Sequence, residues 1–135
     1  MYRICFAIDL FNGERDRAAS HKVLNILLKA LVDTDIEYLK DNPQTPSIYQ
    51  SGVRYVEETP GIEDWRDIPT CLRIRQGDCE DLACWRVAEL KVRQGIDAVP
   101  IFGFRTLSNG DVVYHIRVQY PNGQIEDPSR ILGMR

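Results

Sequence analysis

The chain has 135 residues, 44% of them hydrophobic, and a formal charge of -3. That length and apolar content suit one folded domain spanning 1–135 and are too small for two. The slight negative balance gives no general attraction to nucleic acid or to an anionic membrane, so neither is an expected partner.

The apolar run Ile4-Cys5-Phe6-Ala7-Ile8 is broken by Asp9, and nothing in the sequence has signal-peptide or membrane-spanning character. The expected location is the cytoplasm. Cys5, Cys71, Cys79 and Cys84 lack the paired short spacings of a zinc site, and four cysteines in a chain with this much core do not suggest a disulfide framework. Residues 2 to 11 read as a short strand closed by the Asn12-Gly13 turn signal. From Asp16 to Val32 the residues Ala19, Val23, Ile26, Leu27, Ala30 and Leu31 recur at helical spacing. The capping-box pattern Thr34-Asp35-Ile36-Glu37 predicts a second helix that stops before Pro43. Gly52 to Val56 reads as extended, Pro60-Gly61 as a turn, and the stretch around Trp65 as a turn of helix. Arg73 and Arg75 alternate with apolar neighbours, as in a strand at a sheet edge.

The richest stretch is Gln76-Gly77-Asp78-Cys79-Glu80-Asp81-Leu82-Ala83-Cys84-Trp85. Gly77 permits a turn, Asp78 can cap, and a helix from Cys79 to about Gln94 follows, ended by Gly95. The first N–H groups of a helix lack internal partners and carry the positive end of its dipole, so a thiolate placed there is favoured. Cys79 is therefore the candidate nucleophile, and its own N–H could meet the oxyanion of a tetrahedral intermediate. Asp78, Glu80 and Asp81 oppose thiolate formation, so a histidine partner is required. Cys84, further along the helix, reads as core packing, as does Trp85.

Residues 98–104 and 112–120 read as two strands joined by the turn at Ser108-Asn109-Gly110-Asp111, with a further short strand from Gln124 to Asp127. The fold class is α+β, with the central helix packed on an antiparallel sheet. Of the two histidines, His21 lies on the polar side of the first helix, whereas His115 shares the more polar face of its strand with Arg117 and Gln119. His115 is the candidate base and Asp127 the carboxylate that would orient it. A two-residue Asn122-Gly123 turn puts Asp127 opposite Val118, three positions from His115. A longer loop, a bulge or strong twist would restore the contact.

Gly77-Asp78-Cys79-Glu80-Asp81-Leu82-Ala83, the His115 strand and Glu126-Asp127-Pro128-Ser129 resemble, in that order, the cysteine, histidine and aspartate boxes of the transglutaminase-like cysteine peptidase superfamily. The resemblance covers residues 50–132. It implies a papain-like fold and acyl transfer through a thioester, with peptide or carboxamide bonds of a protein or peptide as substrate. Hydrolysis, transamidation by a transglutaminase and deamidation are all outcomes it allows. No cofactor is required by this chemistry. Members use an upstream side chain at the oxyanion, for which Trp65, Tyr55 and Gln76 are candidates. The Asp78-Cys79-Glu80-Asp81 stretch is also similar to the box in which bacterial relatives bind calcium, making Asp78, Glu80 and Asp81 candidate ligands. Where many members follow the histidine with a small residue and a tryptophan, this chain has Ile116 and Arg117. A non-catalytic assembly protein that kept the fold, for example in a phage particle, is the competing reading.

Overall fold

The structure, a computed structural model, describes residues 2–8, 14–59, 62–110 and 112–135, with the side chains of all these except 14–19, 104, 105 and 112. In chain order the elements are α1 (Glu14–Asp41), a short 3-10 turn (Ile48–Gln50), β1 (Arg54–Tyr55) and α2 (Ile68–Ile74). They continue with β2 (Gln76–Gly77), α3 (Cys79–Gln94), β3 (Val99–Thr106), β4 (Val112–Gln119), β5 (Ile125–Glu126) and α4 (Pro128–Ile131). The class is α+β. Among the described residues no helix is long and apolar enough to cross a membrane.

α3 lies at the centre because it is apolar on more than one side. One side joins α1 and the sheet through Leu28, Val32, Cys79, Ala83, Val87, Leu90, Ile116 and Val118. The other packs Leu82, Trp85 and Ala88 against Leu39, Ile48, Val53, Ile68 and Cys71. Cys84 is fully buried, its thiol directed at the Leu28 carbonyl at 3.7 Å, and Trp85 is fully buried as well. Gly95 ends the helix in a left-handed conformation at φ 66°, with Ile96 N–H donating back to the Leu90 carbonyl.

Several sequence expectations are revised. Residues 2–8 form no strand, and residues 9–11 with the Asn12-Gly13 turn lie outside the described residues, as does the Pro60-Gly61 turn. The two expected N-terminal helices are one, α1, because nothing between Val32 and Asp41 breaks a helix. Thr34 does not cap: its hydroxyl donates to the Ala30 carbonyl within the helix, and Asp35 accepts from Ile68 N–H at 2.9 Å. Residues 62–67 are not helical; the helix begins at Ile68, capped by Asp67 and favoured by Pro69 in its first turn. Leu72 to Ile74 therefore end α2 rather than edge a sheet, and Arg75 turns the chain at φ 61° while donating to the Ser51 carbonyl at 2.8 Å. His21 is half-buried on α1, its ring 5.3 Å from that of Phe102.

β1 and β2 pair in parallel, placing Tyr55 beside Gly77. The second sheet has the order β3-β4-β5, antiparallel throughout, with Gly103 opposite His115 and Val118 opposite Glu126. The loop after β4 holds three residues, Pro121-Asn122-Gly123, since Tyr120 N–H donates to the Gln124 carbonyl at 2.8 Å. One residue more than a two-residue turn moves Asp127 one place toward His115. β5 is brief because Pro128 cannot continue a ladder and instead starts α4.

Candidate active site

The first turn of α3 is built by carboxylates. Asp78 is the N-cap, and its side chain accepts from Cys79 N–H; in return Asp81 accepts from Asp78 N–H at 3.0 Å, completing a capping box. Gly77 is needed here for space and not for a left-handed backbone, because a Cβ would stand 2.9 Å from Leu82 Cδ2. The same carboxylates hold the preceding segment. Glu58 N–H donates to Asp78 Oδ2 at 3.3 Å, and Arg66 N–H to Asp81 Oδ1 at 2.7 Å. The Arg66 guanidinium lies 3.1 Å from Glu58 and 3.3 Å from Asp64.

Cys79 sits at the helix start but is 8% exposed, and its thiol donates to Glu80 Oε2 at 3.2 Å. Burial pushes the thiol well above its ordinary value, with the charges of Glu80 and Asp78 adding to it; a hydrogen bond to the Ile116 backbone works the other way. That last contact sets the sulfur against β4. β5 covers β4 only at Val118 and Gln119, so the β4 edge at Ile116 is left open to it. The residue next to Ile116 is His115, itself buried, whose Nε2 lies 2.7 Å from Asp127 Oδ2. Asp127 also caps α4, accepting from Arg130 N–H at 3.3 Å through Oδ1. Histidine and aspartate thus form a direct pair, diagonal across the two strands. The thiol's side-chain hydrogen bond goes to Glu80 and not to the imidazole.

The expected oxyanion donors are placed unevenly. Cys79 N–H is taken by Asp78, which removes it as a ready donor. Trp65 and Tyr55 both pack against the cluster containing Cys79, with Trp65 Nε1 donating to Glu63 at 3.2 Å. Gln76 is half-buried on β2, opposite Arg54 and two residues before the N-cap.

The calcium candidates differ in what already holds them. Both Asp81 oxygens accept backbone N–H groups. Ligand oxygens of Glu58, Glu63 and Glu80 lie within 4.8 Å of one another, a span an ion with oxygen ligands at about 2.4 Å can bridge. Glu80 Oε1 is buried with no hydrogen-bond partner, and burial followed by the charges of Asp81 and Asp78 holds this carboxyl well above the usual range. Asp78, Cys79 and Glu80 form a second such group. Sequence reasoning gave Glu58 and Glu63 no role, since their only signal is acidity some twenty residues before Glu80. Comparison with protein families, with curated proteins and with solved structures found no match to this chain.

Proposed function

We propose that the chain is a thiol acyl-transfer enzyme of the transglutaminase-like, papain-like kind, acting on a peptide or carboxamide carbonyl of a protein or peptide. The observation that carries this reading is the 2.7 Å pair of His115 and Asp127 on the strand residue adjoining the Ile116 backbone that hydrogen-bonds Cys79. With Nε2 engaged by Asp127, Nδ1 is the ring nitrogen left to take the thiol proton. In the reaction the thiol turns from Glu80 to His115 and gives up its proton, and the sulfur attacks the carbonyl carbon. The tetrahedral intermediate collapses to a thioester as the imidazolium returns the proton to the departing amine. His115 then deprotonates a water, whose attack releases the acid and regenerates the thiol; an amine in place of water gives transamidation. Hydrolysis is the leading outcome, with transamidation and deamidation the alternatives. A cytoplasmic location fits this chemistry.

Calcium is the ion this acid cluster would suit, held by Glu58, Glu63 and Glu80. When bound it would supply positive charge to offset those carboxylates. Held by Glu80 among others, it would offset the carboxylate charge that opposes ionisation of the neighbouring thiol.

One observation favours the alternative of a non-catalytic assembly protein: the thiol is buried and bonded to a carboxylate. Iodoacetamide alkylation across pH, read residue by residue by mass, separates the two. The enzyme reading expects Cys79 to label first at mildly acidic pH and to lose that lead in His115→Ala. Labelling of Cys79 no faster than of Cys71 and Cys84, in both proteins, rejects it.

A further inference from the structure

Arg117 lies two residues beyond His115 on the same face of β4. Its guanidinium lies over Gly103, the residue opposite His115: a Cβ on Gly103 would stand 3.3 Å from Nη2 and 3.7 Å from Nε. The glycine leaves the space in which the cation rests. Arg117 Nε is buried and has no hydrogen-bond partner, and among the described residues the guanidinium forms no ion pair. The two carboxylates at the β5 end of the sheet are occupied. Asp127, which follows β5 and caps α4, is engaged by His115 and by Arg130, and Glu126 by Arg86.

A buried donor of a charged group left without an acceptor is disfavoured, so its retention points to an acceptor that arrives from outside. A guanidinium offers a planar fork of donors that matches a carboxylate, and the combination of partial burial and a missing partner suits an anion of that shape. We propose that Arg117 is a specificity-determining residue that binds a carboxylate of the substrate, positioning the adjoining carbonyl at His115 and Cys79. The inference rests on the acyl-transfer reading for its site, but the recognition itself does not require turnover. The carboxylate is either an acidic side chain or a free chain terminus.

The test uses the full chain with Cys79→Ala, which removes chemistry and keeps Arg117. Three probes are titrated and followed by NMR: acetyl-Gln-Glu-amide with a side-chain carboxylate, acetyl-Gln-Gln with a free terminal carboxylate, and the neutral acetyl-Gln-Gln-amide. One of the acidic probes is expected to bind about tenfold tighter than the neutral one, the size of a single charge-assisted hydrogen bond. Which of them does so identifies the source. The preference should vanish in Arg117→Gln and survive in part in Arg117→Lys, while the backbone spectrum away from β4 stays unchanged. Equal binding of all three probes, binding of none at the highest soluble concentration, or a preference retained in Arg117→Gln overturns the proposal. Carboxylate preference without His115-dependent alkylation of Cys79 would remove the enzyme and leave an anion-binding module.

Discussion

Two sets of carboxylates are buried against α3, and their surroundings treat them in opposite ways. Near the middle of the helix, Glu89 receives Arg86 at 2.9 Å, Arg93 at 3.1 Å and Ile48 N–H at 3.1 Å. Glu126 receives Arg86 Nε at 2.7 Å and the hydroxyls of Tyr49 and Tyr120. Burial pushes Glu126 up, but the hydrogen bonds from Arg86, Tyr120 and Tyr49 outweigh it and leave the carboxyl below its ordinary value. At the helix start the balance reverses. Burial pushes Asp81 up to about 8 against two backbone donors and Arg66, and Glu80 is raised with one oxygen left unpaired. A helix that answers one acid cluster fully and another only partly has spent its cations on structure in the first case. The under-compensated end is where the chemistry is proposed.

The comparison breaks most visibly at Arg86. Arg86→Met strips Glu126 of its arginine and Glu89 of one of the two it receives, and a buried pair that loses one partner costs about 3–5 kcal/mol. Urea unfolding should show a loss of that order, with the midpoint shifted and the slope kept. Because Glu126 adjoins Asp127, the His115–Asp127 pair should loosen as well, read as a change in the imidazole nitrogen chemical shifts. A loss below about 1 kcal/mol would mean the middle cluster is not the compensated one.

The same division shows in what the sequence discloses. The helix from Cys79 to Gln94 is legible because local signals agree: Asp78 and Asp81 at one end, Gly95 at the other, apolar residues between. The β3-β4 hairpin is legible from alternation. The pairing of His115 with Asp127 is legible but the register that allows it is not, because it depends on a loop of three residues where Asn122-Gly123 alone suggests two. α2 hides for a different reason: Leu72-Arg73-Ile74-Arg75 alternates like a strand, and the Asp67 cap with Pro69 was the better signal. Glu58, Glu63 and Arg66 join Glu80 and Asp81 only through the path of an irregular segment, which no periodicity encodes. The commitment of Asp81 to backbone donors is hidden for the same reason.

A smaller effect is expected at Glu80, and its sign differs from the usual acid-stabilised case. A carboxyl whose folded-state value is raised binds its proton more tightly folded than unfolded. Its contribution is complete below the unfolded value near 4.5 and is lost as pH rises through the folded value. Asp35, buried with Oδ2 unpaired and also raised, acts in the same direction. Wild type should therefore lose stability as pH rises above about 5, and Glu80→Gln should flatten that decline. Once Glu80 is ionised the variant should be more stable by about 1–3 kcal/mol, since an unpaired buried charge is removed. Calcium should raise the wild-type unfolding temperature and leave the variant's unmoved. A decline as steep in Glu80→Gln as in wild type would place the under-compensated charge elsewhere.

The finest distinction lies at Asp78, which serves the fold and opposes the thiol at once. Asparagine caps a helix about as well as aspartate, so Asp78→Asn keeps the oxygen that accepts from Cys79 N–H. It cannot also accept from Glu58 N–H through the second atom, now an amide nitrogen, and a loss of about 0.5–1 kcal/mol follows from that single bond. Meanwhile one of the two carboxylate charges that raise the Cys79 thiol is gone, so alkylation of Cys79 at a fixed pH should quicken several-fold while Cys71 and Cys84 keep their rates. Stability and reactivity would then move in opposite directions from one atom's change, the behaviour expected where charge is retained at some cost to the thiol. Were the cap lost instead, all three buried thiols would open together and label at similar rates, and the helix start would be no more than a structural end.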